Sequence, residues 1–147
     1  MKADWDKRFL EMTDLVGNWS KDIHKKCGCV IVDESHRVIS VGYNGFPSGC
    51  DDSVLSRYER PTKYDYTEHA ERNAIYSAAK NGTSVNNCIM YISLFPCVEC
   101  TRAIIQSGVK KLICPEPDLN HERWGKSFKI SLELLNEVGI ELKLLKK

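Results

Sequence analysis

The chain has 147 residues, 42% of them apolar and 28% charged, proportions that suit a folded domain and argue against disorder or membrane embedding. No apolar run approaches the ~20 residues that span a bilayer. The opening Met1-Lys2-Ala3-Asp4-Trp5-Asp6 also lacks the apolar core of a secretory signal, so the expected location is the cytoplasm. Lys and Arg number 21 against 20 Asp and Glu, a net charge of +1, which weighs against a polynucleotide as main partner but suits a small phosphorylated one.

Trp5, Phe9, Met12, Val16 and Trp19 recur at steps of three and four, so a first helix turns one face to a core. Residues 27–32 and 37–43 are rich in β-branched side chains and form a strand pair turning at Asp33 to His36. Cys27 and Cys29 alternate on the first of these strands as small core hydrophobes. Asn44 to Tyr66 is a long segment rich in Gly, Pro, Ser and Asp, and loops of that length tend to be functional. A helix follows from Glu68 to Asn81, with Thr67 placed to cap its start and Gly82 to end it.

The remainder alternates. Residues 88–94 read as a strand, 97–107 as a helix stopped at Gly108, and 110–114 as a strand. Residues 126–138 read as a helix stopped at Gly139, and 141–145 as a last strand. Strand–helix–strand–helix–strand implies parallel strands. The expectation is a single α/β domain over residues 1–147, with three α/β/α layers around a mixed five-stranded sheet.

Two short motifs carry the chemistry: His69-Ala70-Glu71 and Pro96-Cys97-Val98-Glu99-Cys100, each at an expected helix start. Zinc-dependent nucleobase deaminases share this pairing. Cys97 and Cys100 are three apart, so both sulfurs project from one side of a first helical turn. The positive end of the helix dipole there favours the thiolate that zinc requires. One imidazole and two thiolates make three protein ligands, which leaves a tetrahedral zinc one position for water. Glu71 cannot share the face of His69, but it can sit beside that water and move its proton. The seven Cys are an odd number in a chain with no export signal, which favours reduced thiols over a disulfide framework. Two other readings stand beside this one. Cys-x-x-Cys alone suits a redox pair, and a closed structural zinc would recruit Cys50, Cys114, His121 or His24 as a fourth ligand.

From Trp5 to Ile113 the sequence resembles the cytidine and deoxycytidylate deaminase superfamily, and within it the deoxycytidylate deaminases. Beyond the two motifs, the likeness rests on residues 26–32, on Gly42-Tyr43-Asn44-Gly45-Phe46-Pro47-Ser48-Gly49 and on Thr101 to Gly108. The resemblance implies sheet order 2-1-3-4-5 and one catalytic Zn2+ per subunit, held by His69, Cys97 and Cys100. It also implies Glu71 as proton shuttle, Asn44 on the sugar hydroxyl and the Ala70 backbone N–H on the pyrimidine O2. The implied substrate is a free deoxycytidine nucleotide, dCMP converted to dUMP or dCTP to dUTP. The implied assembly is a homo-oligomer, hexameric in many members, with dCTP and dTTP as effectors. A second, structural zinc in some members draws ligands from the long loop; here that loop has Cys50 and no His, so one metal is expected.

Two further sites are expected to touch substrate. The segment from Glu116 to Lys126 holds His121, Arg123 and Trp124, and reads either as a solvated connection or as a lid. As a lid it would set Trp124 near the base or sugar and the cations on phosphate, fixing how many phosphates are accepted. Lys25 and Lys26 are the other phosphate candidates. Alternative functions are a tRNA adenosine or polynucleotide cytosine deaminase, and a non-catalytic zinc module; the intact Glu71 opposes the latter.

Overall fold

The computed structural model describes residues 2–146; Met1 and Lys147, the ends of the expected domain, lie outside them. In chain order the elements are α1 (Trp5–Gly17), β1 (Gly28–Val32), β2 (Val38–Tyr43), a 3-10 turn (Leu55–Tyr58) and α2 (Lys63–Tyr66). Then follow α3 (Ala70–Lys80), β3 (Ile89–Ile92), α4 (Val98–Ser107), β4 (Lys111–Pro115), α5 (Gly125–Val138) and β5 (Glu141–Leu145). The five strands form one mixed sheet in the order β2-β1-β3-β4-β5. β1 runs antiparallel to both β2 and β3, whereas β3–β4 and β4–β5 are parallel, as the strand–helix alternation requires. No helix among the described residues is long and apolar enough to cross a membrane.

Every residue of the inner strand β1 is buried, because both sheet faces are covered. Val30 and Val32 pack with Phe9 and Val16 of α1 on one face. Cys29 and Ile31, with Cys27 just ahead of the strand, pack with Ala70, Ala74, Ile104 and Leu135 on the other, beneath α3, α4 and α5. The three layers are therefore one helix, the sheet and three helices. The core role expected of Cys27 and Cys29 follows from this placement.

Two glycines set how closely helices approach the sheet. A Cβ on Gly28 would lie 1.9 Å from the Thr13 carbonyl oxygen of α1, and one on Gly42 would lie 2.3 Å from the Ala70 carbonyl oxygen of α3. Contact of α3 with β2 at Gly42 brings the first turn of α3, with Glu71, down onto the sheet.

Several expectations are corrected. Trp19 is 53% exposed and meets Tyr43 edge-on, while Trp5 stacks on His36 at the surface. α1 ends at Gly17, so Trp19 falls beyond its apolar face, and only Phe9 and Val16 of the Trp-rich stripe are fully inside. Thr67 does not cap α3. It ends α2 in an extended conformation, and α3 begins two residues later than expected, with His69 at the N-cap. The segment 44–66 is not bare loop either. Its two short helical turns pack Phe46 against Tyr58 and Tyr66. The segment is closed where Gly45 and Glu68 exchange backbone hydrogen bonds of 3.1 and 2.8 Å.

Candidate metal and catalytic site

The site lies where α3 and α4 start. Each helix has a residue with no capping side-chain bond at its N-cap, His69 for α3 and Cys97 for α4, both in extended conformation. These side chains turn toward each other instead of toward their own helices. The His69 Nδ1 lies 3.4 Å from Cys97 Sγ and 3.3 Å from Cys100 Sγ. Ligand atoms around a tetrahedral zinc, at about 2.0 Å for nitrogen and about 2.3 Å for sulfur, stand about 3.5 Å apart, so the three donors fit the ion. Among the described residues no further His, Cys, Asp or Glu joins this cluster. Cys50, Cys114, His121 and His24 are not part of it, so nothing closes the fourth position.

The electrostatics suit a cation. The neighbouring Cys100 thiol and the His69 imidazole hold the Cys97 thiol well below its ordinary value. Cys100 faces that thiolate in a buried position and is held up. The hydrogen bond with Cys97 raises His69. Binding a metal here releases protons, since each ligand must be deprotonated. Glu71, only 4% exposed, sits in the first turn of α3, close to His69 and the two thiols. Burial pushes its pKa above the ordinary carboxylate value, the direction that suits a group which must return the proton it accepts.

Around this corner, sequence reasoning located some residues and missed others. Trp124 stands edge-on to His69, with ring centroids 6.3 Å apart, which sets it beside the metal cluster. Arg123 lies over the Tyr64 ring at 3.6 Å and near Trp124 at 5.1 Å. His121 behaves differently from a free cation. Its Nδ1 accepts the backbone N–H groups of Arg123 and Trp124, at 3.1 and 3.0 Å, which caps the turn leading into α5 and leaves only Nε2 for other partners. Asn44 is 8% exposed; its Oδ1 accepts the Cys27 N–H and its Nδ2 donates to the Lys25 carbonyl, leaving one amide hydrogen. Ala70 is wholly buried at the first position of α3. Lys25 and Lys26 are exposed and line a hollow of about 250 Å³ beside the last turn of α1, with Gly17, Asn18, Ser93 and Leu94.

Tyr64 and Arg72 escaped the sequence reading. Tyr64 is carried by α2, which a buried ion pair anchors: the Lys63 Nζ lies 3.0 Å from an Asp22 carboxylate oxygen, with both residues 6% exposed. Arg72 bridges Glu68 at 2.5 Å and Glu99 at 3.2 Å and turns its charge toward Cys100. The spacing of Glu68 and Arg72 was a visible signal for their pairing. The approach of Arg72 to Cys100 was not, because it depends on how α3 packs on α4.

The model of the cytidine and deoxycytidylate deaminase zinc-binding region matches residues 3–116. An uncharacterized deaminase encoded in the luxG 3' region of Aliivibrio fischeri is 40% identical over 97% of this chain and 94% of its own length. Human deoxycytidylate deaminase is 42% identical over 75% of this chain and 64% of its own length, so the present chain spans under two thirds of that relative. Among solved structures, the dCMP deaminase of cyanophage S-TIM5 in complex with dCMP and dUMP superposes with a TM-score of 0.79 at 23% identity, covering 99% of each chain. The chain belongs to the cytidine and deoxycytidylate deaminase family. It is a zinc-dependent deaminase whose zinc-binding region holds the ion with His69, Cys97 and Cys100.

Proposed function

We propose that the chain, as one deaminase domain acting in the cytoplasm, deaminates the cytosine ring of a free deoxycytidine nucleotide, with dCMP giving dUMP and ammonia. The observation that carries the reaction is the buried carboxyl of Glu71 beside a three-ligand metal corner with an open position. The choice of dCMP is supported by relatives named as deoxycytidylate deaminases at about 40% identity. The near-neutral charge weighs against tRNA or single-stranded DNA.

Zinc bound at the triad supplies the Lewis acidity that makes water nucleophilic at neutral pH. Glu71 accepts a proton from the attacking water as its oxygen bonds to C4, and passes that proton to N3. A second proton from the same water travels through Glu71 to the amino group, the C4–N bond breaks, and ammonia leaves. The Ala70 N–H holds the pyrimidine O2, and the remaining amide hydrogen of Asn44 takes the sugar hydroxyl. Trp124 covers the base or sugar. Arg123, with Lys26 and the Nε2 of His121 as outer partners, meets the phosphate and sets whether dCTP is also accepted. By family resemblance the enzyme is a homo-oligomer, hexameric, with dCTP and dTTP as effectors.

The test is ultraviolet-monitored turnover of deoxycytidine, dCMP, CMP and dCTP by zinc-loaded protein, with Glu71→Ala as control. Turnover of dCMP that the substitution abolishes is expected. Zinc retention without turnover of any of the four overturns the substrate assignment.

A further inference from the structure

A helix leaves its first N–H groups unpaired, and a Ser, Thr, Asp or Asn at the N-cap is the usual remedy. α4 cannot use it, because its N-cap residue, Cys97, directs its sulfur into the metal cluster and makes no capping bond. The acceptor comes from another helix. The Ser127 Oγ of α5 accepts the Val98 N–H at 2.8 Å. On the other side of the same peptide group, the Cys97 carbonyl accepts the Thr101 N–H at 2.9 Å. The Cys97–Val98 peptide plane is therefore pinned at both ends, which holds the Cys97 backbone from which the sulfur projects.

The support is continuous. One turn beyond Ser127, Ser131 is wholly buried and its Oγ accepts from the Thr101 hydroxyl at 2.8 Å. Ser127 and Ser131 are four residues apart, on one face of α5, so a single helix register serves both contacts. Just ahead of that face, Trp124 meets His69. α5 and its leading residue thus bear on both helix starts that supply the metal ligands.

We infer that Ser127 is a positioning residue for the zinc centre: its hydroxyl oxygen, acting through the Val98 N–H, holds the Cys97 thiolate in ligating geometry. The role concerns metal binding and stands apart from which nucleotide is deaminated. Groups that orient metal ligands from outside contribute roughly ten- to a hundredfold to metal affinity.

The test compares Ser127→Thr, which keeps the hydroxyl, with Ser127→Val, which has the same shape without it. Zinc affinity is measured by chelator competition, and ligand geometry by the thiolate charge-transfer bands of the cobalt-substituted protein. Ser127→Val is expected to bind zinc about tenfold or more weakly with shifted cobalt bands, and Ser127→Thr to restore both. Ser131→Ala, which leaves the Cys97–Val98 peptide untouched, is expected to lower stability with zinc affinity within about twofold of the parent. Should Ser127→Val not fold, Ser127→Ala is read against the parent protein in the same two measurements. Parent-like affinity and spectrum without the hydroxyl, or equal losses in the Thr and Val variants, would overturn the assignment.

Discussion

The metal corner and the mouth around it are held by different means. At the corner, His69, Cys97 and Cys100 occupy the first positions of two helices seated on the sheet, within a few residues of their motifs. At the mouth, Tyr64 of the short helix α2 meets Arg123 and Trp124 of the turn into α5, some sixty residues on, through ring contacts, and α2 is anchored by the Asp22–Lys63 pair. Helix starts seated on the sheet thus place the metal ligands, while contacts between residues far apart in the chain place the mouth. The cysteines draw the same contrast. Cys97 is held down beside an imidazole, whereas burial pushes Cys114 up to about 12 and raises Cys29, so neither of these offers a thiolate.

Removing the metal tests the corner most severely. Dialysis against a strong chelator is expected to cut deaminase turnover by at least about a thousandfold, with recovery on adding zinc, because the activated water is lost. Residual turnover at a tenth of the starting rate would break the claim that all activity depends on this site.

The anchor of the mouth is tested by Asp22→Asn. Breaking a buried pair leaves the Lys63 ammonium uncompensated, at a cost of about 3 kcal/mol in urea unfolding. Burial alone would raise the Asp22 pKa, but the N–H groups of His24 and Lys25 and the Lys63 ammonium outweigh it and hold the carboxyl below its ordinary value. The folded pKa lies under the unfolded one, so the carboxylate's contribution is complete above about pH 4 and is lost as pH falls through the folded value. The stability gap between parent and variant is expected to be widest at neutral pH and to close in acid. A gap independent of pH would show that the charge of Asp22 is not what anchors α2.

Gly42→Ala probes the seat of α3. The added methyl would lie 2.3 Å from the Ala70 carbonyl oxygen and 2.5 Å from the Ala74 nitrogen, both backbone atoms, so the helix must lift. A loss of about 2 kcal/mol is expected, with turnover falling as Glu71 moves. Arg123→Ala is the mildest change: about a tenfold rise in KM for dCMP, near 1.4 kcal/mol, with kcat and zinc content little altered. An equal rise for deoxycytidine, which has no phosphate, would remove Arg123 from the phosphate.

The sequence by itself determined the reaction class and most of the architecture. His-x-Glu and Cys-x-x-Cys fall at helix starts that the periodicity of the following residues locates to within about two residues, and alternating apolar segments were enough for the parallel half of the sheet. Those features depend on neighbours within a few residues. Only the tertiary structure decided the rest, because it depends on partners far apart in the chain. Arg123 read in the sequence as a cation that could reach phosphate, with no sign that its guanidinium lies over Tyr64, and Thr67 looked like a cap until α2 ended on it. His121 offered a charge in the sequence, yet its ring nitrogen caps the turn into α5. Ser127 carried no signal at all: its hydroxyl acquires a role only because α4 begins with a residue committed to metal, leaving a backbone N–H that another helix must satisfy.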